Sequence, residues 1–418
     1  MKGISKKRKV AKRVLNLLFV LSLIWGLMTG CGSVSDTKDG VAGKSSSQTK
    51  EGGNGKTSGG TGEWKIGFNF YNSSAYALIA LRDNSIQTIE GFGGTPVAID
   101  DETSAEKIIQ DIENMISSGC DGILVWLPAD QLFIPVAELC EKAKMPFVLN
   151  DKLPQDPEII AELKANPYFV GAIGPANAIY GNSVAEFALE QGYKTCIVAS
   201  GDVADPTDAP RLAVFKEKFE SAGGIILEEL HGSSVDMQTA LENALIANPN
   251  PDFIYGTGPD FGNAACDALK GKGFDTVVLT SGLTSINLER LANPDSPMKM
   301  VNGDYWINGM LSAVIMQNYL DGTPLLDSNG QPIWYADVKP FEVSAEQFDL
   351  YQRFFLDQFM YTTDEIQQMS GANNPDFDYD AFIKVIEDYT LENRLKARFS
   401  EGKVTADEMK AAGIEIPQ

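Results

Sequence analysis

Polar and aromatic residues cluster where several predicted strands end. Six such segments are 70–76, 126–130, 150–152, 200–211, 256–260 and 281–285. The carboxyl ends of parallel strands meet at one edge of a sheet, where open α/β sheets bind ligands. The segments carry aromatic rings, amides and carboxylates but few bases. This mixture suits a neutral polyol, because rings stack on its C–H faces while amides and carboxylates bond its hydroxyls.

An alternation of strands and helices positions these segments. Strands are predicted at 65–70, 96–99, 122–127, 146–150, 169–173, 195–200, 225–230, 253–255 and 276–280. Helices are predicted at 74–89, 104–118, 130–144, 178–191, 209–222, 237–247 and 261–271. Short links between alternating elements imply parallel strands joined by right-handed crossovers. The sequence therefore predicts an α/β fold with two doubly wound parallel-sheet lobes in series.

The N-terminus has the layout of an export signal. Basic residues from Lys2 to Arg13 precede an apolar stretch from Val14 to Met28 that is short for a membrane span. Small residues then lead into Cys31. This end resembles the lipobox of bacterial lipoproteins, which implies a signal peptide over 1–30 and a diacylated Cys31 at the outer face of the cytoplasmic membrane. A plain exported protein with an incidental Cys31 is the alternative.

Composition limits the partners and sets the start of the folded unit. The segment 31–62 is rich in Gly, Ser, Thr and Lys and is predicted to be a flexible tether, so the folded unit starts near Glu63. The formal net charge of −23 disfavours nucleic acid and anionic headgroups as partners.

Cysteines 120, 140, 196 and 266 lie among apolar residues and are predicted to be buried free thiols, with a Cys120–Cys140 bridge as the alternative.

The ordered set of segments resembles the type I periplasmic sugar-binding proteins that deliver substrate to ABC importers. The matching pieces are IGFNFYNSSAY at 66–76, SGCDGILVW at 118–126, KMPFVLND at 144–151, RLAVF at 211–215 and NPNPDFIYGTGPD at 248–260. The resemblance covers roughly 64–343. It implies two lobes joined by three crossovers, with a ligand cleft between them and hinge closure on the ligand.

The resemblance also sets expected lobe boundaries. With crossovers near 174–177, 281–285 and 319–324, the first lobe comprises 63–176 with 286–322, and the second comprises 177–285 with 323–344. We therefore expect 298–320 to return to the first lobe and 334–343 to the second.

Ligand contacts follow from position in this pattern. The candidate residues are Asn72, Tyr76, Trp126, Asp151, Lys152, Arg211, Asp260, Asp304, Tyr305 and Trp306. The chain departs from the family at Gly258, where an Asn is expected, and at Ser281–Leu283, where many monosaccharide binders have an Asp. The three residues 304–306 would compensate. The alternatives are core packing for Tyr76 and Trp126, a cap or a turn before Pro154 for Asp151, and a helix-surface or lobe-bridging role for Arg211.

Two further signals are weaker. The acidic run Asp376–Asp380 with Glu387 mimics the ligand spacing of an EF-hand loop, but Ala381 stands where a Gly is needed. Asp376 or Asp378 as a helix cap is the favoured interpretation. The chain has one histidine, His231, which excludes a site built from several histidines.

The segment 345–418 differs from the rest of the chain and is predicted to be a helical C-terminal extension. Helices are expected at 345–358, 363–369 and 379–398, and the extension should pack across one lobe or near the hinge. A flexible interaction tail is the alternative.

The expected function is that of a noncatalytic, monomeric solute-binding lipoprotein without a cofactor. It would capture a small polar solute, such as a mono- or oligosaccharide, and deliver it to ABC permease subunits. One alternative is a ligand receptor for a membrane sensor kinase or chemoreceptor. The other is a secreted hydrolase that uses two carboxylates, for example Asp151 and Asp260. The export signal and the lack of a basic DNA-reading unit argue against a transcription regulator.

Overall fold

The computed structural model describes residues 63–70, 73, 76–102, 104–176, 179–203, 207–303 and 307–417. Cys31, the predicted tether, Asn72 and the three candidates Asp304, Tyr305 and Trp306 lie outside the described residues. For Tyr76 the backbone alone is described. Over the described ranges, no helix combines the length and the apolar character that a membrane crossing requires.

The first sheet contains six described strands, all parallel. They are β1 (Lys65–Phe70), β2 (Thr95–Asp100), β3 (Gly122–Val125), β4 (Phe147–Asn150), β5 (Phe169–Pro175) and β11 (Ile333–Val338), in the order β11-β5-β4-β3-β1-β2. Every residue of β3 and β4 is buried. Continuous apolar strands of this kind are typical of parallel sheets that have helices on both faces.

The second sheet also has six described strands. They are β6 (Thr195–Ser200), β7 (Ile225–His231), β8 (Phe253–Gly256), β9 (Val277–Ser281), β10 (Met298–Gly303) and β12 (Phe341–Ser344), in the order β12-β10-β9-β8-β6-β7. The last strand, β12, runs antiparallel to β10, and the other described pairs are parallel. The predicted α/β class with two parallel-dominated lobes is confirmed.

Helices cover the sheets. They are α1 (Tyr76–Gly91), α2 (Ala105–Ser117), α3 (Phe133–Ala143), α4 (Pro157–Ala165), α5 (Ile179–Glu190), α6 (Asp208–Ser221), α7 (Ser234–Ala247), α8 (Pro259–Leu269), α9 (Ser285–Leu291) and α10 (Ile307–Leu320). The start of α2 shows how local sequence sets a boundary, because the Ser104 side chain accepts a hydrogen bond from the Lys107 amide. The stripe Ile108, Ile112 and Met115 is fully buried at helical spacing.

The order of the described strands and helices requires three crossings between the sheets, and two of them differ from the expected positions. They fall between β5 and α5, between β10 and α10, and between β11 and β12. We expected 298–320 to return to the first lobe. This is wrong for its strand, because β10 pairs with β9 in the second sheet. Only α10 packs on the first sheet. The expectation for 334–343 is wrong for 334–338, because β11 pairs with β5 in the first sheet.

The C-terminal extension is helical, as predicted. It contains α11 (Phe348–Tyr351), which continues as a π-helical turn over Gln352–Leu356, and then α12 (Thr363–Gln367), α13 (Tyr379–Glu387), α14 (Leu391–Ser400) and α15 (Ala406–Ala411). The Asp378 side chain accepts from the Ala381 amide at 3.0 Å and caps α13, which confirms the helix-cap interpretation of the acidic run.

The four cysteines at 120, 140, 196 and 266 are buried and unbridged, as predicted. Burial raises the pKa of the Cys140 thiol to about 12. These thiols therefore act as small apolar side chains in the two cores.

Close packing of α5 on α6 generates a stability prediction. A Cβ built on Gly181 would overlap the carbonyl oxygen of Arg211 and lie 3.0 Å from the amide nitrogen of Phe215. We expect Gly181→Ala to destabilise the protein by about 1–3 kcal/mol, because overpacking outweighs the gain of about 1 kcal/mol in helix propensity. Urea unfolding measures the change. Asn182→Ala, at the half-buried next position, should stay within about 0.5 kcal/mol of the parent. Equal stability of the two variants would contradict the prediction.

Candidate ligand-binding site

In the first lobe, Asp151 lies directly after β4 and is held by three elements. Its backbone has φ of 69°, in the left-handed region that Asp tolerates better than most residues, and its amide donates to the Ile173 carbonyl at 2.8 Å. Oδ2 accepts from the indole Nε1 of Trp126 at 3.1 Å, and Oδ1 accepts from Nδ2 of Asn308 at 3.0 Å. Asp151 is only 3% exposed. The carboxylate is therefore fixed in orientation by the ends of β3 and β5 and by α10.

A second set of hydrogen bonds fixes Trp126. The Asn69 side chain on β1 accepts from the Trp126 amide at 2.9 Å and donates to the Trp126 carbonyl at 2.8 Å. The same Nδ2 donates to Oδ2 of Asp101 at 2.7 Å. One buried network thus runs from Asp101 through Asn69, Trp126 and Asp151 to Asn308. Next to it, Ser312 on α10 donates to the side-chain carbonyl oxygen of Asn150 at 3.1 Å.

Asp101 has unusual electrostatics for an aspartate. Burial raises its pKa, the hydrogen bond from Asn69 lowers it, and the nearby carboxylate of Asp111 raises it, so that the pKa is about 7. Its Oδ1 is buried and has no hydrogen-bond partner among the described residues. Asp101 therefore changes its charge near neutral pH at one end of the network that holds Trp126 and Asp151.

In the second lobe, Arg211 on the first turn of α6 is 6% exposed. Its Nη1 donates to the Thr257 carbonyl at 2.9 Å, and its guanidinium carbon lies 4.5 Å from the centre of the Tyr180 ring. The Asp208 carboxylate is 3.9 Å away. Burial excludes the helix-surface alternative for Arg211. A guanidinium held by a carbonyl, a ring and a carboxylate presents fixed donors at the strand ends of its own lobe.

The structure joins some of the predicted residues and separates others. Trp126 and Asp151 are in direct contact, whereas Arg211 belongs to the second lobe. Lys152 and Asp260 are exposed, after β4 and in the first turn of α8.

Three contributors were missed at the sequence level. Asn69 lies inside the segment 66–76 already singled out, so a buried amide in an otherwise apolar strand was an available signal. Asn308 and Ser312 had no such signal, because only the tertiary fold brings α10 to the end of β4.

This set offers hydrogen-bond acceptors and donors at the strand ends. It combines a buried carboxylate with both oxygens already hydrogen-bonded, a fixed indole and a fixed guanidinium. Among the described residues, no cluster of three or more His, Cys, Asp or Glu side chains is arranged to hold a metal ion. The carboxylate keeps lone pairs and the guanidinium keeps an Nε–H that is unused within the described part of the chain, so each can bond a ligand hydroxyl without rearrangement, whereas the indole N–H is already donated to Asp151.

Comparison with known proteins supplies a family. Residues 66–324 match the family described as "Periplasmic binding protein domain". No curated protein matches the chain.

Solved structures share the fold at low identity. A periplasmic solute-binding protein of an ABC transporter from Actinobacillus succinogenes with bound D-allose is 18% identical, with a TM-score of 0.54, and the match covers 69% of this chain and 99% of that one. A solute-binding protein from Bacillus halodurans with bound myo-inositol is 16% identical, with a TM-score of 0.52 and coverage of 71% and 99%. The arabinose transporter component from Shewanella sp. ANA-3, bound to L-arabinofuranose, is 15% identical, with a TM-score of 0.52 and coverage of 69% and 94%.

Titration of Asp101 generates a pH prediction. Because its folded pKa lies above the unfolded value of about 3.9, its contribution to stability is complete below pH 4 and is lost as the pH rises through 7. The expected loss is up to about 1.4 kcal/mol per pH unit between roughly pH 4 and 7. Asp101→Asn should remove it, so the variant gains stability relative to the parent over this range. Urea unfolding from pH 4.5 to 8 tests this, and parallel curves for parent and variant would refute it.

Proposed function

The chain belongs to the periplasmic binding protein family, and on this basis we propose that it is a membrane-anchored solute receptor. It captures a small polar solute, a sugar or a related polyol, between its two lobes and presents it to the permease subunits of an ABC importer. The single observation that carries this proposal is the pair of preset groups at the strand ends. They are the Asp151 carboxylate held by Trp126 and Asn308 in one lobe, and the Arg211 guanidinium in the other.

The site chemistry supports a polyol ligand. The Asp151 carboxylate has lone pairs beyond the two that accept from Trp126 and Asn308, so a ligand hydroxyl can donate to it. Arg211 supplies donors to a hydroxyl or ring oxygen. The bound compounds named for three structural neighbours are D-allose, myo-inositol and L-arabinofuranose, which share this hydroxyl-rich chemistry. We propose the remaining contacts from the candidate set of the sequence analysis: Asn72, Tyr76, Lys152, Asp260, Asp304, Tyr305 and Trp306.

The proposed mechanism has three steps. Solute enters between separated lobes, the lobes close through the three crossovers, and the permease binds the closed form. Ligand affinity then includes the free-energy difference between closed and open protein, because a ligand shifts this equilibrium only by its differential affinity for the two states.

We propose a noncatalytic role. Both oxygens of the Asp151 carboxylate accept hydrogen bonds from its own lobe, while Asp260 is exposed in the other. Members of this family bind solutes, and recovery of bound saccharide unchanged would be consistent with that role. The proposed location is the outer face of the cytoplasmic membrane, where lipidated Cys31 and the tether hold a monomer.

A ligand screen with a matched pair of variants tests the binding proposal. A specific sugar or polyol at about a hundredfold its Kd should stabilise the full chain by roughly 2.7 kcal/mol in thermal unfolding. Asp151→Ala should weaken binding of that ligand by about 1.5–3 kcal/mol, because it removes a charged acceptor. Glu158→Ala removes the same charge from the exposed surface of α4 and should leave binding unchanged. If no sugar or polyol shifts the unfolding curve, the proposal fails.

The anchor has its own test. Cys31→Ser should move the protein from the membrane pellet to the soluble fraction, because the acylated thiol is lost, whereas Ser33→Ala should remain in the pellet. Membrane fractionation measures where each variant lies, and metabolic labelling with a fatty acid measures its acylation. A parent protein that takes up no label, or a Cys31→Ser variant that takes up as much label as the parent, would exclude lipidation of Cys31.

A further inference from the structure

The C-terminal extension is fixed to the first lobe through α10 and α1. Asn318 on α10 is fully buried, and its side chain donates to the Met369 carbonyl at 2.8 Å and accepts from the Gly371 amide at 2.8 Å. Gln367 at the end of α12 donates to the Gly91 carbonyl at 2.6 Å. A buried side-chain amide that donates to one backbone carbonyl and accepts from another backbone amide holds a segment in one position. The stretch around α12 is therefore held by the first lobe.

The same extension is fixed to the second lobe through β12. The ring of Phe341 lies 6.1 Å from that of Tyr351, 5.4 Å from that of Phe355 and 5.3 Å from that of Tyr389. All four rings are buried. Helix α14 also packs against β12. The first helical turns of the extension and its α14 therefore belong to the second lobe.

An ion cluster joins these two anchored parts. Glu365 on α12 accepts from Arg394 at 2.7 Å and from Arg398 at 2.6 Å, and both arginines come from α14. The Arg398 side chain is 6% exposed, so the cluster is shielded from water on that side. Partly buried, charge-assisted hydrogen bonds are among the stronger side-chain interactions. Glu365 thus connects the part held by the first lobe to the part held by the second.

The extension also faces the last crossover. A cavity of about 590 Å³ lies between the crossover from β11 to β12 and the helices α13 and α14. Its walls include Asp337, Lys339 and Glu342 on the crossover side and Glu387 and Tyr389 on the other. The amide of Ala176, in the first crossover, donates to the Val338 carbonyl at 3.1 Å. The first and third crossovers therefore move together or lose this bond.

We infer that the C-terminal extension is a strap across the crossovers that restricts rotation of one lobe against the other. Rotation about the crossovers changes the separation of α10 from β12, and the strap is anchored on both. Such movement must then break the Glu365 cluster or one of the anchors. Because the strap opposes rotation away from the conformation that it holds, it changes the conformational free energy that lobe closure adds to solute affinity, without touching the solute. This consequence for affinity rests on the proposed function, whereas the restriction itself does not.

Hydrogen exchange of the ligand-free full chain tests the strap. Glu365→Gln weakens both ion pairs but keeps a side chain that caps at Thr362, because Gln serves in a capping box. The readout is the exchange rate of the Ala176 amide relative to the amides of β3 and β8. We expect this ratio to rise about tenfold, together with faster exchange in the extension. Glu392→Gln removes the same charge from a pair made within α14 and should leave the ratio unchanged.

Three results would overturn the inference. The first is faster hydrogen exchange in the extension alone. The second is an equal increase in exchange everywhere, which leaves the ratio of the Ala176 rate to the β3 and β8 rates unchanged. The third is the same rise of this ratio in Glu392→Gln as in Glu365→Gln. Should Glu365→Gln not yield folded protein, Arg398→Lys decides with the same readout, because it keeps the charge and loses the guanidinium fork. Since no ligand is present, failure here is independent of failure in the ligand screen.

Discussion

The buried carboxylate of Asp151 is the constraint on which the site depends. An ionised carboxylate removed from water is costly unless donors satisfy it, and removal of one partner from such a group is more costly than the pair was worth. Here the donors come from the end of β3 and from α10, 25 and 157 residues away in sequence. Burial of the carboxylate therefore requires the first sheet with α10 packed on it. The fold and the site form together.

This dependence explains why the second crossover lies after β10 and not before it. The second sheet needs β10 between β9 and β12, because both edges of this strand are paired. The first lobe needs α10, whose side chains from Ile307 to Asn318 are buried and include the donor to Asp151. The chain satisfies both lobes only by leaving the second sheet after Gly303. We expected 298–320 as a whole in the first lobe, because hydrophobic pattern carries no information on which sheet edge a strand joins.

The same limit divides what the sequence predicts from what it does not. Local signals are strong where a strand is apolar throughout, as in β3, or up to its last residue, as in β4, and where a cap precedes a stripe, as at Ser104. They are weak for short elements such as α4 and α9, which we did not predict. For Trp126 the sequence left core packing and ligand contact open. In the structure the Trp126 ring is buried, and its indole N–H also orients Asp151. The same side chain therefore packs in the core and positions the carboxylate. Asn308 was beyond prediction, because its contact depends on the tertiary fold alone.

Chain order makes the extension suited to act on the crossovers. It begins directly after β12, the strand that follows the last crossover, so no linker separates it from the place where both lobes meet. The extension begins at residue 345, beyond residue 324 where the family match ends, and the side-chain hydrogen bonds that hold Asp151 and Arg211 come from the two lobes. On the proposed function it can nevertheless alter binding, because the affinity of a protein that closes on its ligand includes the free energy of bringing the lobes together. On the proposed function, the preset groups at the strand ends select the ligand, and the segment at the crossovers contributes to the conformational free energy that binding must overcome.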